Sequence, residues 1–208
     1  QTIAMIIGIA LMIALSVISY SVWSQMPKLI FATGVIILVL TLIFAKTING
    51  SKSWIQIFGI SIQPSEFVKL CFILSFAAHL SAVEENINRI SNVLLLSAHV
   101  LVYVLLVYLQ GDMGSALIYF VMALAMLLIA GLSWKYFLAL GVATVPIGFL
   151  LYKFVFSEYQ IRRILVIFNP DLDPLNYGWQ TIRSVTAIGA GKLSGQGYGS
   201  GIMTQRGL

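Results

Sequence analysis

This sequence is short of charge. Charged residues make up 9% of its 208 positions, against about a quarter in a soluble domain, so the chain has too little polar surface to cover a water-exposed globule. No charge at all occurs from Gln1 to Pro27, from Ile90 to Gly111, or from Met113 to Trp134. Cysteine is also nearly absent. The single Cys71 excludes an internal disulfide and leaves the redox compartment unmarked. His79 and His99 stand without a cysteine or carboxylate cluster at metal-ligand spacing, and read as hydrogen-bonded residues of a helix bundle. No Ser-His-Asp constellation and no zinc-binding helix motif is present. The stretch "GAGKLSGQG" (189–197) has Leu193 where a phosphate loop needs Ser or Thr, and no buried strand precedes it, which excludes a nucleotide site of that kind. The first apolar run has neither a basic leader nor a small-residue cleavage site, so it does not read as a signal peptide. With no initiating Met, Gln1 reads as the start of a fragment.

What fills the sequence instead is apolar. Hydrophobic residues make up 60% and mean hydropathy is +0.98. Roughly 20 such residues cross a bilayer as a helix, and the runs here are too long and too uniform for the alternating strands of a transmembrane barrel. The expected fold class is all-α, a polytopic helical membrane protein. Six spans are expected near residues 2–23, 29–45, 64–81, 92–110, 113–131 and 135–156. Short hinges separate them, the longest at 46–63. Gly131, Pro146 and Gly148 lie in or beside helices, as membrane bundles allow. Residues 1–156 are thus expected to form the bundle and 157–208 a separate segment. From Lys153 to Leu208 six basic residues face three acidic ones, and six of the thirteen residues from Gly189 to Gly201 are glycine. Trp179, Ile182, Val185 and Ile188 recur every three residues, which predicts a short amphipathic helix lying either on the membrane interface or against the bundle.

The few polar residues inside this setting are the candidates for chemistry. In "SIQPSEFVKLCFILSFAAHL" (61–80), Pro64 suits a first helical turn, Glu66 falls at the positive end of the helix dipole, and Lys69 lies on the same face. The pair either anchors a helix end or lines a polar cavity, as charges in spans commonly do. Asp112, in "LQGDMGSAL", either caps the following helix or offers a carboxylate at the mouth of that cavity. Arg162 and Arg163 suit lipid headgroups or pyrophosphate, which arginine binds in bidentate fashion. Asp171 and Asp173 would suit a divalent cation, Mg or Mn, although two carboxylates are too few to define a metal site, and Asp173 before Pro174 equally suits a turn.

Four motifs, "QPSEFVKL" (63–70), "QGDMGSAL" (110–117), "GLSW" (131–134) and "RRILVIFNPDLDPLNYGWQTIRSVTAIGAGKLSGQGYGSG" (162–201), occur in an order and spacing that closely resembles the SEDS family of bacterial membrane proteins. These are the shape, elongation, division and sporulation proteins, with RodA, FtsW and SpoVE as branches. One departure is Gly111, where that family usually has proline.

The resemblance implies a ten-helix fold, of which this chain holds helices two to seven and, from Ser157, part of a large extracytoplasmic loop. It implies a peptidoglycan glycosyltransferase in the bacterial cytoplasmic (inner) membrane. Its substrate would be lipid II, the undecaprenyl-pyrophosphate disaccharide-pentapeptide, and its partner a class B penicillin-binding protein. Membrane lipids are expected as partners and nucleic acid is not. Glu66 and Lys69 match the family's charged pair, Asp112 its loop aspartate, Arg162, Arg163, Asp171 and Asp173 the opening of its large loop, and Gln205 the approach to the segment that carries its expected catalytic aspartate. That aspartate has no counterpart among residues 1–208, so the fragment by itself is expected to be inactive. A lipid II flippase and a non-catalytic scaffold for the penicillin-binding protein are the alternatives. The positive-inside rule would place the basic tail and the Lys46/Lys52 loop in the cytoplasm. The resemblance places both outside, and a long folded loop is where that rule is weakest.

Overall fold

The structure, a computed structural model, describes residues 2–17, 19, 23, 25–48, 51–57, 60–154, 158–175, 178–197, 200 and 201. It is a mostly helical chain in two compact units, Gln1–Trp134 and Lys135–Leu208. The first unit contains α1 (Thr2–Ser16), α2 (Pro27–Phe44), β1 (Lys46–Ile48), β2 (Ser51–Ile57), β3 (Ile60–Ile62), α3 (Pro64–Ala82), α4 (Ile90–Leu109) and α5 (Met113–Ile129). Four helices are long and apolar enough to cross a membrane among the described residues: α2, α3, α4 and Trp134–Phe154, here α6. Of the six spans expected, α1 and α5 are shorter helices, of 15 and 17 residues. The chain is a multi-pass membrane protein.

Local sequence sets the helix ends. Pro27 and Pro64 occupy first-turn positions, where a missing N–H costs nothing. α4 and α5 both end in a left-handed glycine, Gly111 (φ 78°) and Gly131 (φ 82°). At each, the glycine N–H returns to one carbonyl of the last turn and the next N–H to another: Gly111 to Tyr108 and Asp112 to Val107, then Gly131 to Leu128 and Leu132 to Leu127. These paired closures satisfy carbonyls that lipid could not. A side-chain bond then fastens the far end of the bundle, where Ser133 N–H donates to Asn88 Oδ1 at 2.7 Å.

The hinge expected at 46–63 is instead a three-stranded antiparallel meander in the order β1-β2-β3. Ile55 pairs with Ile62 and Ile57 with Ile60. The β-branched alternation of these isoleucines is a strand signal that the polar residues around it mask. The sheet is tied to the bundle at Gln110, whose backbone carbonyl accepts from Lys52 N–H (2.7 Å) and from Ser51 Oγ (3.2 Å). The buried Gln110 side chain donates onward to the Leu38 carbonyl in α2 at 3.0 Å.

The interior between α2, α3, α4 and α5 is aromatic. Phe72 lies 5.2–5.3 Å from Phe76, Tyr103 and Tyr119 by ring centroid, and all four are completely buried. Their hydroxyls reach backbone, Tyr103 to Phe31 (3.1 Å) and Tyr119 to Ser65 (2.8 Å). Outward, large apolar residues such as Ile36, Phe67, Leu94 and Leu101 remain exposed, the surface a lipid-facing helix presents.

In the second unit, α6 is followed by α7 (Glu158–Phe168), a short 3-10 turn at Pro170–Leu172, and α8 (Trp179–Gly191). The helix predicted from the spacing at Trp179 is α8. α7 was not foreseen from sequence, because its arginines interrupt the apolar pattern.

Gly34 packs where a side chain could not. A Cβ there would lie 2.7 Å from Tyr103 Oη and 3.1 Å from Cys71 Cβ. Gly34→Ala is expected to destabilise the full-length protein by about 1–3 kcal/mol, read as a lower thermal unfolding midpoint in detergent. Tyr103→Phe, which removes the obstructing oxygen, should relieve much of that loss. An unchanged midpoint in Gly34→Ala would show that α2 and α4 do not approach this closely.

Candidate functional site

α3 begins as Gln63-Pro64-Ser65-Glu66, so its first turn carries both a proline and an acid. Glu66 and Lys69 then share a face, and Lys69 Nζ lies 2.7 Å from both carboxylate oxygens of Glu66. The lysine side chain is only 17% exposed and the glutamate 51%. An ion pair whose acid is open to solvent adds about 0–1 kcal/mol to a fold, so its placement matters more than its strength. The pair holds a cation in the first turns of a membrane helix, with the acid as its outer guard.

Asp112 is the N-cap of α5. Its Oδ1 accepts from Ser115 N–H at 3.0 Å and its Oδ2 from Ser115 Oγ at 2.9 Å. Gln63, the N-cap of α3, donates its side-chain amide to the same Oδ2. Gln63 also accepts the Glu66 N–H at its backbone carbonyl, 3.1 Å away. A continuous set of contacts therefore runs Asp112–Gln63–Glu66–Lys69, joining the starts of α3 and α5 at one end of the bundle. Gln63 was not singled out from sequence. A glutamine just ahead of a helix-initiating proline is the only signal it gives, and its partner lies 49 residues away.

The remaining candidates lie in the second unit. Arg162, exposed on α7, lines a cavity of about 380 Å³ together with Asp173. Arg163 is helical, on the same element. Asp171 is exposed in the 3-10 turn, whose N-cap Asn169 accepts the Asp171 N–H through Oδ1 at 3.2 Å. Asp173 closes the turn by accepting the Gly178 N–H at 2.8 Å. Gly178 is required at that position, because a Cβ would fall 2.1 Å from the Pro170 carbonyl oxygen. Gln205 lies outside the described residues. Asp171 and Asp173 do not make a metal centre by themselves, since no group of three His, Cys, Asp or Glu side chains gathers among the described residues. On α8, Arg183 stacks over Trp179 at 3.6 Å, while Val185 and Ile188 stay exposed.

A multi-pass helical bundle with an ion pair and a capped aspartate at one end defines a class of membrane protein, and comparison with known proteins narrows it. Residues 1–206 match the FtsW/RodA/SpoVE family of cell cycle proteins, and the chain belongs to that family. It is 35% identical over 187 residues to a probable peptidoglycan glycosyltransferase FtsW of Trichlorobacter lovleyi, covering 88% of this chain and 49% of that protein. It is 33% identical over 209 residues to the protein of the same description from Allochromatium vinosum, covering 97% and 51%. The chain thus spans about half the length of the curated relatives it matches. Among solved structures it resembles a chain of a peptidoglycan synthase complex that coordinates polymerization and crosslinking, with a TM-score of 0.76, 27% identity and coverage of 90% of this chain and 55% of that one. It also resembles the rod shape determining protein RodA of Thermus thermophilus, with a TM-score of 0.62, 26% identity and coverage of 71% and 48%.

Asparagine caps helices as well as aspartate does, whereas alanine costs about 1 kcal/mol. Asp112→Asn should therefore keep the unfolding midpoint of the full-length protein near wild type, with the Gln63 amide reversed to suit, and Asp112→Ala should lower it. Equal midpoints for all three would show that the Asp112 contacts do not hold α3 and α5 together.

Proposed function

We infer that this chain is the larger part of the bundle of a peptidoglycan glycosyltransferase, which polymerises lipid II into glycan strands at the outer face of the bacterial inner membrane. The observation that carries the reading is Lys69, a cation shielded from water and held by Glu66 at the head of α3. In this transfer the bond from the sugar to pyrophosphate breaks, and a bond to the acceptor hydroxyl oxygen forms. The hydroxyl proton must pass to a carboxylate, and the departing pyrophosphate needs cations. Lys69 supplies one such cation. Glu66 fixes the direction of Lys69, and Asp112 fixes the helix starts on which both stand. The family resemblance assigns the proton acceptor to an aspartate that is not among residues 1–208. A class B penicillin-binding protein fits as the crosslinking partner, since a structural relative works within a synthase complex. In this reading, residues 157–208 form the outer loop and α8 lies on the membrane surface through Val185 and Ile188.

The test uses the full-length protein with its penicillin-binding partner and purified lipid II in detergent. Lys69→Ala should lower glycan polymerisation by about 10²-fold or more, the scale seen when one stabilising donor is removed. Lys69→Arg should keep part of the activity, because it keeps the charge. Wild-type polymer from Lys69→Ala would overturn the assignment of Lys69 and favour a scaffold. A wild-type protein that makes no polymer, yet moves lipid II across vesicles, would favour a transporter.

Sidedness is tested separately. In a Cys71→Ala background, Ser200→Cys should react with an impermeant thiol reagent on intact spheroplasts. Labelling only after lysis would place the segment inside the cell.

A further inference from the structure

The opposite end of the bundle carries a second polar site that the proposed glycosyl transfer does not use. His79 lies 13 residues along α3 from Glu66, about 20 Å away at a rise of 1.5 Å per residue. There the start of α2, the end of α3 and the first half of α4 enclose a cavity of about 490 Å³, which Lys28, His79 and His99 line. That volume is within the roughly 300–1,000 Å³ of ligand-holding pockets. The space exists because small residues, Ala78, Ala82 and Ala98, face it. It opens outward, since Lys28 and Ala82 are exposed and Leu95 is 58% exposed.

The hydrogen bonds of its polar wall have a direction. Ser75 Oγ–H donates to the Phe72 carbonyl at 3.2 Å, and in the tautomer of His99 protonated at Nε2 the Ser75 oxygen accepts from that ring N–H, also at 3.2 Å. That assignment makes His99 Nδ1 an acceptor, and His79 Nδ1–H donates to it at 3.3 Å. The chain ends at His79 Nε2, which keeps a lone pair and has no protein partner among the described residues. Lys28 also has no partner among them. One wall thus offers a bare cation and the other a bare acceptor. The helix dipoles agree: Lys28 stands in the first turn of α2, where anions are favoured, and His79 in the last turn of α3, where cations are favoured.

We propose that this cavity binds a phospholipid headgroup of the phosphoethanolamine type, with its phosphate on Lys28 and its ammonium N–H on His79 Nε2. The upper acyl chains run along the apolar wall formed by Phe31, Leu95 and Val102. The ligand is matched by opposite charges at its two ends and by an N–H donor facing an acceptor. Phosphatidylcholine has the same net charge and no N–H, and phosphatidylglycerol has hydroxyls but no cation.

The experiment measures lipid retention by the full-length protein, using native mass spectrometry after exposure to defined mixtures of these three lipids. Phosphatidylethanolamine should be retained about tenfold over phosphatidylcholine, the scale of one hydrogen bond to a charged group. His79→Phe should abolish that preference, Lys28→Ala should weaken both lipids, and Ala98→Trp should remove retention while leaving the fold intact by thermal unfolding. Equal retention of phosphatidylethanolamine and phosphatidylcholine, or retention of phosphatidylglycerol alone, would overturn the proposal. So would a disulfide between Ala98→Cys and a cysteine placed in another part of the full-length chain, because a protein segment would then fill the cavity.

Discussion

A bilayer offers no hydrogen bonds, and the end of α4 shows how much of this structure answers to that constraint. Gln110 sits wholly inside the bundle, yet its backbone carbonyl accepts from the sheet and its side-chain amide donates to α2. The next residue, Gly111, turns left-handed and closes α4, and the one after, Asp112, opens α5 and receives Gln63 from α3. Three consecutive residues therefore connect the sheet and the four packed helices. Proline at position 111 could not adopt this turn, because its ring fixes φ near −65°. The polar end of this bundle is therefore joined through a glycine closure in which φ is positive.

Between helices in lipid there is no water to expel, so association rests on close packing and on hydrogen bonds across helices. The aromatic interior uses both. Phe72, Tyr103 and Tyr119 fill the space among α3, α4 and α5, and the two tyrosine hydroxyls are spent on backbone carbonyls of α2 and α3. Gly34 permits the close approach of α2. Polar residues that sequence alone places on ambiguous faces, such as His99 and Ser75, prove to be neighbours in one directed network.

Much of the bundle was legible because its signals are local. Charge-free runs mark α4 and α5, Pro64 marks the start of α3, the i, i+3 spacing of Glu66 and Lys69 gives their ion pair, and the N-cap reading of Asp112 is met by Ser115. What was not legible depends on distant partners or on mixed patterns. The 46–63 segment reads as a hinge because Lys, Ser and Gln interrupt its isoleucines, and only pairing across strands reveals the sheet. Gln63 gains meaning only through Asp112. α7 mixes arginines with an apolar face, so no run identifies it, and α5 ends two residues sooner than its hydropathy suggests because Gly131 turns the chain. The two histidines were expected to be hydrogen-bonded within the bundle, but not to each other.

α3 differs from α6 in a way that bears on motion. From Ser65 to Ala82 it contains neither glycine nor proline, whereas α6 contains Gly141, Pro146 and Gly148. A helix of that composition bends little and behaves as a lever, with Glu66 and Lys69 near one end and His79 near the other. Over about 20 Å of helix, a pivot of only about 3° carries one end through about 1 Å. A tilt at the His79 end of this stiff rod is in this sense felt at its Glu66–Lys69 end.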